Sequence, residues 1–190
     1  MYFQSFCYIK EVPGWTMASE QKPFGQKEQD LLDLSKAAQK KIASSKNKEE
    51  RLKVLQSIAS LDALWTYDVL LDALADPNGE IRRYIVTQLA QKENLDLNLL
   101  YRRLSRPPWH IKIEVLKILG LQKNPRSAKH IEVVLNESND EVRRTAASVL
   151  GDIGGDLARA ILVKLTQDQN PFVRKMAEKS LNETSNLKFL

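Results

Sequence analysis

Five cations carry the clearest chemical signal in this 190-residue sequence: Arg83, Lys117, Arg144, Lys175 and Lys179 recur at fixed places in segments that repeat an apolar pattern. Clustered Lys and Arg attract carboxylates and phosphates, so the chemistry they offer is recognition of an acidic partner protein or of a phosphate backbone. Groups that could turn over a substrate are scarce. Cys7 is the only cysteine and His110 and His130 are the only histidines, which excludes a disulfide framework or a Cys/His zinc cluster within one chain. There is no Gly-rich phosphate loop after a strand, no strand pattern to carry one, and no nucleophile motif with a positioned base. Gly154-Gly155 reads as a turn, and Asn182-Glu183-Thr184 matches a glycosylation sequon by spacing alone. The expectation is a non-enzymatic protein with no catalytic residue, cofactor or metal.

Composition sets the frame for those cations. With 43% hydrophobic and 28% charged residues and only 7 Gly and 7 Pro, the chain suits a folded, helix-rich protein. The net charge of +5 is spread out: residues 1–61 hold 10 Lys/Arg and 7 Asp/Glu, leaving 19 and 17 for residues 62–190, so the larger part is nearly neutral. No run of 18 apolar residues and no charged start followed by an apolar stretch are present, which predicts a soluble, cytoplasmic protein.

The elements that position the cations emerge when the later segments are laid over one another. Ile81, Ile111, Val142 and Val173 stand 30, 31 and 31 residues apart. Four residues on come Ile85, Val115, Ala146 and Ala177, and eight on come Leu89, Leu119, Leu150 and Leu181, one stripe of a helix. Stepping back 31 residues from Ile85 and Leu89 reaches Val54 and Ile58, a fifth copy. Each copy is preceded by a second apolar helix, carrying Val69 to Leu74, Leu97 to Leu104, Ile131 to Leu135, and Ile161 to Leu165. Asp76-Pro77, Pro107-Pro108, Asn139-Asp140 and Asn170-Pro171 turn the chain within a pair, while Gly120 with Asn124-Pro125 and Gly151 with Gly154-Gly155 punctuate the other end. One pair cannot bury its apolar face alone, but stacked pairs share a continuous core, so the period predicts an all-α solenoid of antiparallel helix pairs.

Upstream the pattern weakens. Residues 27–61 read as an N-terminal capping helix pair, with Asn47 and Glu50 spaced as a capping box before the second helix. Residues 1–26 are not a repeat: Tyr2, Phe3, Phe6, Tyr8 and Trp15 crowd together between Pro and Gly. Tyr2-Phe3-Gln4-Ser5 resembles the end of a protease site common in expression vectors, and Met17-Ala18-Ser19-Glu20 reads as a natural start. The residues before Met17 are thus either vector-derived or an aromatic docking peptide. Residues 62–184 hold four repeats, and residues 185–190 form a tail.

Asp76-Pro77-Asn78-Gly79-Glu80-Ile81-Arg82-Arg83, Asn139-Asp140-Glu141-Val142-Arg143-Arg144 and Asn170-Pro171-Phe172-Val173-Arg174-Lys175 resemble the second half of HEAT repeats, of the short bacterial, lyase-type variety. The resemblance covers residues 62–190 well and residues 27–61 weakly. It implies a right-handed superhelix in which an acid of the turn and a base at the second helix's start form a ladder. Asp76 and Arg82, Glu137 and Arg143, and Asp168 and Arg174 fit it, whereas Arg106 and Lys112 are like charges and make an irregular rung.

At about 100° per residue, positions two and six after the stripe's first member point away from it. In a HEAT-like array the second helices line the concave side, which places Arg83, Thr87, Ile113, Lys117, Arg144, Ser148, Lys175 and Lys179 on one inner surface. Five of these eight are cationic, diluted by Glu114 and Glu178. The reading is a scaffold or adaptor binding a partner protein through this face, with an acidic protein as the candidate that the cations suit. Trp109 beside His110, at a helix start in the irregular repeat, could imitate a base-stacking aromatic, and HEAT-like DNA glycosylases are a nucleic-acid precedent. Lyase-type repeats also occur in proteins that attach bilins, although no bilin pocket is legible.

Overall fold

The computed structural model describes residues 26–61, 63–106 and 108–186; the aromatic segment before them lies outside the described residues. Among the described residues there are ten α-helices and no strand. They are α1 (Gln26–Ser44), α2 (Lys48–Ala59), α3 (Leu64–Asp72), α4 (Gly79–Ala90), α5 (Leu97–Leu104), α6 (Trp109–Gln122), α7 (Ser127–Ile131), α8 (Asp140–Ile153), α9 (Asp156–Leu165) and α10 (Pro171–Asn186), with 3₁₀ turns Ala73–Ala75 after α3 and Glu132–Val134 after α7.

The helix starts follow from their caps. Asn47, Asn78, Asn139 and Asn170 each turn a side-chain oxygen onto the amide two residues ahead, satisfying a donor that the first turn leaves free. α6 lacks this device, since Pro108 occupies its cap. The capping box expected at α2 is only half formed: Glu50 accepts from the Ser45 hydroxyl instead of reaching back to the cap amide.

The helices lie in two layers. α2, α4, α6, α8 and α10 pack side by side in chain order, and α1 with α3, α5 with α7 and α7 with α9 form the other layer. Between the layers the stripe residues Ile81, Ile85, Leu89, Val115, Leu119, Val142, Ala146, Leu150, Val173 and Ala177 are buried, facing Leu70, Leu74, Leu100, Leu104, Ile131, Ile161 and Leu165 in one cluster. Each fully buried aliphatic side chain contributes about 1.5–3 kcal/mol against leaving it in water, which is why the apolar period dictates the stack.

Two glycines expected as punctuation have a different role. α6 runs through Gly120 and ends where Lys123 adopts a left-handed conformation, φ 50°. A Cβ on Gly120 would stand 3.1 Å from Val149 Cγ2, and one on Gly151 would stand 2.8 Å from Ser180 Cβ. The bare backbone lets α6 approach α8, and α8 approach α10. The turn between α8 and α9 belongs instead to Gly154 and Gly155, at φ 68° and 87°. α10 continues to Asn186, into the stretch 185–190 read as a tail, and residues 187–190 lie outside the described residues.

Candidate partner-binding face

A row of arginines at the start of the second helices sets the spacing of this face. Arg82 Nη1 donates to the carbonyls of Asp76 (2.7 Å) and Pro77 (3.0 Å), six and five residues back. Arg143 and Arg174 repeat the contact on Glu137 and Ser138, and on Asp168 and Gln169. Arg51 does so on Ser45 and Lys46. These bonds satisfy carbonyls that the preceding helix leaves orphaned at its end.

The remaining nitrogens reach forward into the next repeat. Arg51 grips Asp76 through Nε (2.7 Å) and Nη2 (3.1 Å), and Arg143 grips Asp168 through Nε (2.8 Å) and Nη2 (3.0 Å). The ladder's sign pattern was legible, but its connection differs from a pair six residues apart: within a repeat the arginine holds a carbonyl, and the carboxylate belongs to the arginine 25 residues earlier. The irregular rung is also closed, because Lys112 meets Glu137 and Arg82 turns to Glu114 at 3.3 Å. Arg51 was missed, although a 31-residue step back from Arg82 finds it.

Burial makes these pairs structural. The side chains of Arg143 and Asp168 are 4% and 7% exposed. The hydrogen bonds from Arg143 hold the Asp168 carboxyl below the usual carboxylate range, and the same bonds raise the guanidinium.

Beyond the ladder lie the side chains expected on the inner surface. Arg83 and Lys175 are exposed and make no ion pair among the described residues. Lys117 meets Glu114 at 3.1 Å, a carboxylate it shares with Arg82. Arg144 forms a fork on Glu141 at 2.8 and 2.6 Å, and these bonds hold Glu141 below its ordinary pKa. Lys179 stands 3.7 Å from Glu183. Thr87 is exposed and Ser148 half-buried.

Ile113 is a correction. It is 9% exposed and belongs to the core cluster, because α6 sits between α4 and α8 and burial extends round its turn over Lys112, Ile113 and Glu114. The apolar side chain joins the core, and Lys117, one turn on, supplies the cation of this step.

Trp109 is 47% exposed and meets the His110 ring edge-on, with centroids 5.8 Å apart. Sequence reading passed over Phe172, which is 70% exposed at the start of α10 and holds the place taken by Glu80, His110 and Glu141 in the earlier helices. Beside it a cleft of about 210 Å³ is lined by Asp140, Glu141, Arg144, Asn170, Phe172 and Val173. His130, the other histidine, stacks flat on Tyr101 at 3.7 Å.

Among the described residues no group of three or more His, Cys, Asp or Glu could hold a metal ion, and no helix is long and apolar enough to cross a membrane. No curated protein matches the chain. The family described as HEAT repeats matches residues 97–182, from the start of α5 into α10. Across that stretch, under half of the chain, the stacked helix pairs with their shared turn chemistry are similar to HEAT repeats.

Proposed function

We propose that this protein is a non-enzymatic adaptor: a right-handed α-solenoid whose second helices line a concave face and hold an acidic protein partner there. HEAT repeats commonly mediate contacts between proteins, and the observation that carries the reading here is the row of cations left over after the ladder is satisfied. Arg83 and Lys175 are exposed without ion-pair partners among the described residues at the two ends of this row, and Lys117 between them shares the Glu114 carboxylate with Arg82. Such a row selects carboxylates and speeds encounter by complementary charge.

The test is charge reversal at Arg83, Arg144 and Lys175 in the full chain. A partner captured from nuclease-treated native lysate and then purified is expected to bind the triple variant at least tenfold more weakly, while the melting temperature stays within the usual scatter for surface changes. Unchanged affinity contradicts the reading. A second reading, nucleic-acid binding, is favoured by the half-exposed Trp109 at a helix start. It requires a salt-dependent shift of single- or double-stranded DNA or RNA that Trp109→Ala weakens. Bilin handling would show as altered absorbance on incubation with a bilin.

A further inference from the structure

We infer that the concave face takes an extended acidic peptide segment, about 7–9 residues long, with one apolar side chain packed against the exposed ring of Phe172. The inference rests on the adaptor reading and specifies the form of the partner. Its first support is spacing. Packed helix axes lie about 8–10 Å apart, whereas an extended chain advances about 3.3–3.6 Å per residue, so one step between second helices matches about three residues. From Arg83 on α4 to Lys175 on α10 there are three such steps, about 24–30 Å in all. A single phosphate or a nucleotide meets one step of this row; an extended segment meets all of it.

The second support is the distribution of charge. The two cations without ion-pair partners among the described residues are at the ends of the row, while Lys117 and Arg144 between them already meet Glu114 and Glu141. The segment's acids are therefore selected most strongly at its two ends. At the α10 end an exposed aromatic adjoins the cation, since Phe172 is 70% exposed and stands three residues from Lys175 on one helix face. The cleft beside it is lined mainly by Asp140, Glu141, Arg144 and Asn170, with Arg144 already forked on Glu141, and Val173 is buried, so the apolar surface here is the Phe172 ring. An uncharged apolar side chain packs on that ring, with the acid next to it on Lys175.

The experiment is selection of a random 12-residue display library on the full chain, followed by fluorescence anisotropy of the enriched peptides. Enriched sequences are expected to carry an apolar residue next to Asp or Glu, with a second acid about eight residues away. Phe172→Ala and Arg83→Glu are each expected to weaken them about tenfold; both side chains are exposed, so folding is preserved. Phe172→Leu, which keeps an apolar surface, is expected to retain most of the affinity. Enrichment of basic or uncharged sequences, no enrichment, or affinities indifferent to both substitutions overturns the inference. If peptides fail while charge reversal still releases the native partner, the adaptor reading stands and the face holds a folded acidic surface. If charge reversal is also without effect, both fall.

Discussion

The junction between α2 and α4 and the junction between α8 and α10 are built on the same fork, Arg51 on Asp76 in one and Arg143 on Asp168 in the other. Their helix contacts differ. At α8 and α10 a glycine removes the side chain between the backbones, and Gly151 lies against Ser180 with no room for a Cβ. At α2 and α4 the position equivalent to Gly151 is Ala59, and an exposed pair of Lys48 and Glu80 at 2.7 Å adds a second charged link. One end of the array is thus joined by close backbone packing as well as charge, and the other relies more on charge. The family match begins only at residue 97, beyond the charge-reliant end.

The largest effect expected is at the buried fork. Arg143→Ala leaves the Asp168 carboxylate 7% exposed and without its partner, a loss of about 3–5 kcal/mol in urea unfolding. Arg51→Ala leaves Asp76, itself 2% exposed, without its fork, but Arg51 is 13% exposed against 4% for Arg143, so water can enter the space it vacates and the loss should be smaller, about 1.5–3 kcal/mol. Equal losses at the two ends would erase the comparison. Next comes Gly151→Ala, whose new methyl meets Ser180 and should cost about 1–3 kcal/mol. Gly120→Ala should cost less, since Val149 presents only methyl groups that can shift.

Acid sharpens the same contrast. Asp168 is depressed in the folded chain, so its stabilisation is complete above the unfolded carboxylate value near about pH 4 and is lost as pH falls through the folded value. Urea midpoints should fall from pH 5 toward pH 2, and Arg143→Met should remove this group's share of the fall. The smallest effect belongs to Lys48 and Glu80, an exposed pair: Lys48→Met is expected to change the midpoint only slightly, and not at all in 1 M salt.

The fold was legible because its cause is periodic: each member of the stripe from Ile81 to Ala177 buries the same face, and the asparagines cap the same turn. What a period does not state is which neighbour an equivalent residue touches. Asp76 and Arg82 were visible as a pair, but that Asp76 belongs to Arg51 depends on the distance between stacked repeats, which no single helix encodes. The inner surface was read from helical angle alone; Arg83 and Lys175 are exposed, as that angle expects, while Ile113 is not, because packing on both sides of α6 withdraws the position from solvent. Gly120 and Gly151 have the composition of a turn and the role of a helix contact, a distinction that only the partner helix makes.

The ladder also has a mechanical consequence. A planar guanidinium gripping a carboxylate with two nitrogens fixes direction as well as distance, as at Arg51 and Arg143, whereas a single contact fixes distance alone. On either side of α6 the contact is single, Arg82 to Glu114 and Lys112 to Glu137. Gly120 brings α6 close to α8, whereas at the seam between α4 and α6 the charged contact fixes a distance and leaves direction to side-chain packing. The two forks therefore set the angle between helices at the first and last seams of this layer, and the two middle seams take theirs from the shape of the core.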